Sequence, residues 1–306
     1  MSQTGGNESI LSGEYQLTAG IETLCITRKF TSISHLAQDA MMIFDTLNAN
    51  GFRGNQWILV LGLTKKAIHI LDNDKRCLDG ITPRFEWDGT TGLIKVVPDA
   101  GSEFSTSSFV MAVHETLWAM GIPRTEMSWG GRTTYQPTVG KGKQGDQIFT
   151  PGDRQPAHGQ IRDWPTLVLE TGLSESLRKL QENAKWWFNN SNGRVRFVIV
   201  VLISYERSTV LFQKWQLVPP NAPSPMTRHY ISWLHQQSRN MPPLSDQPAA
   251  TQMLYMAQEV TVTPNTVSGA PMVLPFHALM DRAPGANETD ISITAQDFRV
   301  IASTCF

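Results

Sequence analysis

Three cysteines, Cys25, Cys77 and Cys305, are too few and too widely spaced for a zinc site or a disulfide framework. A reducing compartment is then the default, and the chain is expected to be intracellular, cytoplasmic or nuclear. Long apolar runs are also missing. The longest, residues 197–203, falls far short of the ~20 residues needed to span a bilayer, so no membrane association is expected. Residues 1–15 are acidic and rich in Gly, Ser and Asn. They show no basic segment leading into an apolar one, which argues against a signal peptide. The acceptor triplets at Asn189 and Asn287 are accordingly expected to stay unglycosylated.

Several catalytic signatures are absent too. There is no G-x-x-x-x-G-K-[ST] loop and no G-x-S-x-G elbow, and no cysteine has a base supplied by its local sequence. His114-Glu115 begins like a zinc-protease helix, but Trp118 stands where the second histidine must be. Gly140-Lys141-Gly142-Lys143-Gln144-Gly145 matches G-x-G-x-x-G, a dinucleotide fingerprint only when a helix opens directly after it. The extended, proline-stopped residues 146–151 follow instead, so the glycines read as a turn between strands.

What is present describes a globular chain. The 306 residues are 41% hydrophobic and 17% charged, which is ordinary for a packed domain or two. Nine tryptophans argue against wholesale disorder. The net charge of −1 hides an uneven distribution: residues 124–214 hold 13 Lys/Arg and 8 Asp/Glu, for +5, and the remainder carries −6. A basic middle suits an anionic partner, and it equally fits ordinary variation of solvated surface charge.

Periodicity divides the chain further. Residues 1–20 read as a flexible tail. Leu36, Ala40, Ile43, Phe44 and Leu47 predict a helix over 34–50, closed by Gly51. Residues 57–63 and 67–71 read as strands, and 84–87 with 93–97 as a hairpin across Asp88-Gly89-Thr90-Thr91-Gly92. A helix over 105–120 buries Phe109, Val113, Leu117 and Met120. A polar strand is expected over 126–135, then the strand carrying Asp146, a loop over 151–163, and a strand ending in Glu170. Ser174 is positioned to cap a helix over 174–188. Strands are expected over 195–203 and 209–218. Seven of the 18 prolines fall within 219–248, around a helical island at 227–237. The chain then ends in mixed structure, with strands near 259–263 and 272–276. The expected fold class is α/β, a mixed central sheet flanked by helices, with additional N-terminal and C-terminal elements.

The chemistry points to acids. Trp164-Pro165-Thr166-Leu167-Val168-Leu169-Glu170 is a proline-led apolar strand ending in a carboxylate, and Asp146 lies 24 residues upstream in the preceding strand. Two carboxylates brought to one edge of a sheet, partly open to solvent, can hold a divalent metal against a phosphate. Glu115 or Glu103, from the helix before them, could add a third. The bland alternative is that Asp146 begins a turn and Glu170 is a strand-end charge, since acids at strand ends are common.

The run from about Pro83 to Val300 resembles the PD-(D/E)xK nuclease superfamily, and within it a fungal branch of uncharacterised restriction-endonuclease-like proteins. The likeness is carried by residues 164–177, with their Glu-x-Gly and Ser174-Glu175-Ser176-Leu177. Residues 145–151, Lys185-Trp186-Trp187-Phe188, Val273-Leu274-Pro275-Phe276 and Glu288-Thr289-Asp290-Ile291 add to it. It implies a restriction-endonuclease-like core over 83–218, a Pro-rich insertion or linker over 219–249 and a C-terminal extension over 250–306. Residues 21–82 fall outside it. It implies a Mg²⁺- or Mn²⁺-dependent nuclease acting on DNA, with Asp146 and Glu170 as its two acids. The superfamily's lysine, two residues past the second acid, is Gly172 here. Lys179 or Gln181 on the following helix are the candidate replacements, with Lys185 further along; a solvated helix face is the alternative for these positions. Lys141, Lys143, Arg178 and Lys179 are the candidate nucleic-acid contacts. A catalytically inactive relative that binds nucleic acid or protein is the alternative function. A structural interaction protein built around the uncovered N-terminal region is a further one.

Overall fold

A computed structural model describes residues 17–96, 100–131, 133–156, 163–173, 176–219, 222–236, 247–248 and 251–306. In chain order the elements are β1 (Cys25–Lys29), α1 (Ile33–Ala49), β2 (Trp57–Leu61), α2 (Lys65–Asn73), β3 (Arg84–Asp88), β4 (Thr91–Lys95), α3 (Ala100–Ala119), β5 (Met127–Trp129), β6 (Thr134–Tyr135), β7 (Lys141–Gln144), β8 (Gln147–Pro151) and β9 (Leu167–Leu173). They continue with α4 (Leu177–Ser191), β10 (Phe197–Ser204), β11 (Thr209–Leu217), α5 (Arg228–Gln236), β12 (Leu254–Val262), β13 (Val267–Ser268), β14 (Met272–Leu274), α6 (Phe276–Met280), β15 (Ile291–Ile293) and α7 (Ala295–Ala302). The architecture is mixed α/β. Among the described residues no helix is long and apolar enough to cross a membrane.

The chain divides into two units. One comprises Met1–Ala100, Arg132–Gly145 and Leu173–Glu182; the other comprises Gly101–Gly131, Asp146–Gly172 and Asn183–Phe306.

The first unit holds a six-stranded sheet in the order β1-β2-β4-β3-β7-β6. β1 and β2 run parallel, joined by α1 as a crossover, and the other pairings are antiparallel. Strand alternation sorts the side chains. Ile58, Val60, Phe85, Trp87 and Ile94 face the helices and pack with Leu36, Ala40, Ile43 and Leu47 of α1 and Ala67 and Leu71 of α2. Trp57, Leu59 and Leu93 point the other way and pack with Leu17 and Ile21. The tail expected over 1–20 is therefore corrected at its end, where Leu17 and Thr18 are buried. Its earlier part lies outside the described residues.

The strand expected over 67–71 is helix α2. Thr64 caps it, its hydroxyl accepting the Ala67 N–H at 3.1 Å. Ala67, Ile68 and Leu71 fall at helical spacing, a pattern that a short apolar run does not separate from a strand. The G-x-G-x-x-G stretch forms the turn into β7 and β7 itself. Gly140 has φ +92°, and a Cβ at Gly142 would overlap the Trp87 ring, so both glycines serve the backbone.

The second unit holds a seven-stranded sheet, β13-β12-β11-β10-β9-β8-β5, and a separate β14-β15 pair. β9 and β10 are buried along their whole lengths, as central strands covered on both faces are. On α3, Phe109, Val113 and Leu117 are buried. The Phe109 ring stacks on Phe212 at 6.4 Å, and Phe212 meets Phe298 of α7 at 4.8 Å. The polar strand expected over 126–135 divides in two, β5 pairing with β8 and β6 with β7. The helix expected over 174–188 is α4; its expected cap, Ser174, lies outside the described residues.

Candidate functional site

Asp146 does not lie inside a strand. It occupies the bend between β7 and β8. β8 pairs antiparallel with β9 through Gln147↔Leu169, Ile148↔Val168 and Phe149↔Leu167. One step further along this register Asp146 stands opposite Glu170. Two hydrogen bonds fix it there: its N–H donates to the Leu169 carbonyl at 3.2 Å, and its Oδ2 accepts the Thr171 N–H at 2.8 Å. The two sequence-predicted acids thus occupy adjacent positions on paired segments.

Glu170 leaves β9 on the face covered by α4. Its Oε2 accepts from Asn183 Nδ2 at 3.0 Å and its Oε1 from Trp187 Nε1 at 2.6 Å. Asn183 and Trp187 are four residues apart, one helical turn, so both donors come from one stripe of α4. Trp187 is itself held edge-on by Trp186 at 5.1 Å and Trp164 at 6.1 Å between ring centroids. The other face of β9 is anchored through Thr171, whose Oγ1 lies 2.9 Å from Thr106 Oγ1 of α3. Asp146 and Glu170 are only 7% and 3% exposed. The partial accessibility expected of both is corrected by their place against a fully buried central strand. Gly172, two residues beyond Glu170 on the same strand, is also buried.

Glu103 and Glu115, the other expected metal ligands, stand on α3 with exposed side chains. Among the described residues no three of His, Cys, Asp and Glu are grouped so as to hold one ion. Asp146 and Glu170 offer carboxylate oxygens, the donor type a hard divalent cation takes, and each carboxylate accepts from neutral N–H groups.

The candidate cations form a separate cluster in the first unit. Glu86 and Lys143 are direct cross-strand partners, and the Lys143 ammonium pairs with Glu86 Oε2. Lys179 Nζ donates to Glu86 Oε1 at 2.5 Å and to the Leu17 carbonyl at 2.7 Å, and lies 6.0 Å from the centre of the Trp57 ring. Burial pushes the Glu86 carboxyl up, but Lys143 and Lys179 outweigh it and hold the group at about 2. Lys143 and Lys179 are 3% and 2% exposed, so neither sits on a solvated surface, as a phosphate contact or a solvated helix face requires. Gln181 is half-buried on α4, as is Lys185. Lys141 pairs with Asp88 at 2.7 Å, and Arg178, with 68% of its side chain exposed, lies 4.0 Å from Glu22.

Glu86, Asn183 and Trp187 escape a sequence reading directed at acids near strand ends. A signal existed for one of them: Asn183 interrupts the apolar stripe of Leu180, Ala184 and Trp187. A polar group on a buried stripe asks for a partner.

No protein-family model and no curated protein sequence matches the chain. Among solved structures it is similar to a "putative nuclease belonging to DUF820" from Anabaena variabilis ATCC 29413. Identity is 10%, the match covers 72% of this chain and 91% of that one, and the TM-score is 0.38.

Proposed function

We propose that this chain has a restriction-endonuclease-like core and is a metal-dependent nuclease whose metal ligands are Asp146 and Glu170. The observation that carries the reading is their opposition across β8 and β9, with each carboxylate oriented by N–H donors. Mg²⁺ or Mn²⁺ bound there would supply Lewis acidity toward a phosphate oxygen and a more acidic bound water. The protein's own part is to hold two acids in fixed geometry. The Thr171 N–H positions Asp146; Asn183 and Trp187 position Glu170.

The test is plasmid and single-stranded DNA cleavage in Mg²⁺ and in Mn²⁺, with Mn²⁺ calorimetry on Asp146→Asn and Glu170→Gln. Asparagine retains an oxygen for the Thr171 N–H, so that fold should survive. Cleavage by the wild type, with cleavage and Mn²⁺ binding lost in both variants, supports the reading. Unchanged Mn²⁺ binding in either variant refutes it.

A second reading, nucleic-acid binding without cleavage, is favoured by Gly172. No side chain at that position can stabilise charge at an attacking water. A wild type inert with both metals and both DNA forms would favour it.

A further inference from the structure

Between Glu206 and Asp246 the sequence holds no acid, and Arg207, Lys214, Arg228 and Arg239 fall inside that stretch. α5 lies within it. Thr227 opens the helix, its hydroxyl accepting the Tyr230 N–H at 3.1 Å. Ile231 and Leu234 seat it on Val218, Met253 and Tyr255, a cluster without a charged residue. Arg228, His229 and Trp233 are exposed. The Trp233 ring stacks on half-buried Tyr230, with centroids 5.3 Å apart and planes 29° from parallel, yet it stays 45% exposed. His229 stands one helical turn before Trp233 and so shares its face. The result is an outward row of rings with a cation at its start.

We propose that this row binds single-stranded nucleic acid, the Trp233 ring stacking on an unpaired base and Arg228 meeting the phosphate backbone. Tyr230 backs Trp233 and fixes the plane of its ring, so little side-chain freedom is lost when a base is added. The flat face of an indole suits any nucleobase, and a guanidinium beside it suits a phosphate. No carboxylate in the same stretch of chain repels the strand. An acidic peptide would meet the same cations but offers Trp233 no flat ring. Duplex DNA offers phosphates but keeps its bases stacked on one another. The proposal does not rest on the nuclease reading, since a stacking platform needs no metal.

The full chain is titrated in EDTA with a fluorescein-labelled oligothymidylate of about 12 nucleotides, a length in the range of single-strand sites, and binding is read by anisotropy. The wild type should bind it, and an unlabelled duplex of the same length should compete poorly. Trp233→Ala should weaken binding about five- to hundredfold, the loss of one stacked base. Trp233→Phe, which keeps a ring, should retain most of the affinity. Arg228→Ala should reduce the salt slope by about 0.7, one phosphate on a single strand. Both residues are exposed, so these variants should fold, and circular dichroism checks that they do. Trp118→Ala, at a comparably exposed tryptophan on α3, is the control and should change nothing. A wild type that does not bind overturns the proposal, as does binding indifferent to Trp233→Ala or weakened as much by Trp118→Ala. A duplex competing as well as the single strand would leave only phosphate attraction and overturn it too. Polyglutamate competing as well as the oligonucleotide would assign the row to an acidic peptide and overturn it as well.

Discussion

The indole N–H of Trp187 donates to Glu170 Oε1 across 2.6 Å, and this bond orients a carboxylate that is itself almost completely buried. Outer partners of this kind tune a metal ligand by fixing its geometry, and their loss typically costs about 10- to 100-fold in metal affinity. Trp187→Phe keeps an aromatic ring against Trp164 and Trp186 while removing the N–H. It should lower Mn²⁺ affinity by that factor and lower stability by about 1–3 kcal/mol, the cost of a buried acceptor losing its donor. Calorimetry and urea denaturation read the two effects separately. Loss of stability with unchanged Mn²⁺ affinity would reduce Trp187 to a packing residue.

Glu86 should make stability depend on acid. Its carboxyl is held at about 2 against an ordinary 4.5, so the folded chain keeps this charge to lower pH than the unfolded chain does. The stabilisation is present above about pH 4.5 and is lost as pH falls toward 2. Glu86→Gln removes it and deprives Lys143 and Lys179 of the carboxylate they share, which typically costs about 3–5 kcal/mol. Denaturation of wild type and variant at pH 7 and again near pH 3 should show the gap narrowing in acid. An equal gap at both would contradict the ion-pair account.

Nucleic-acid binding, if the basic middle supports it, should weaken steeply with salt as counterions are released from phosphates. The structure divides the candidate contacts. Arg178→Ala and Lys141→Ala should each reduce the salt slope by about one. Lys143→Ala and Lys179→Ala should lower stability and leave the slope alone, because Glu86 holds both ammonium groups away from solvent. A slope unchanged by Arg178→Ala and Lys141→Ala together, or binding indifferent to salt, would remove the electrostatic footprint.

Local signals were legible and non-local ones were not. α1 followed from five apolar residues at helical spacing and a glycine stop. The β3–β4 hairpin followed from its Asp-Gly turn. The opposition of Asp146 and Glu170 could be anticipated because β9, which carries Glu170, follows directly after β8, which Asp146 precedes. α2 was missed because its short apolar run suits either a helix or a strand. The Glu86 cluster was invisible for a different reason: its lysines are 57 and 93 residues away, and only the β3–β7 register and the course of α4 bring them in. Lys179 therefore read as a solvated helix-face cation, when its ammonium is paired with a buried acid.

The absent lysine gives the sharpest test. Glu170 and Gly172 are two residues apart on β9, so side chains at both positions leave the strand on the same face. Gly172→Lys would place an ammonium on the face that carries the Glu170 carboxylate. If the wild type cleaves DNA, another group already supplies that charge. Lys179, whose ammonium Glu86 holds, is not expected to be that group, so Lys179→Ala should cost no more rate than Glu86→Gln at matched folded fraction. If the wild type is inert, Gly172→Lys should confer metal-dependent cleavage that Asp146→Asn abolishes. A rate loss in Lys179→Ala beyond that of Glu86→Gln would contradict the confinement of Lys179 to the Glu86 cluster.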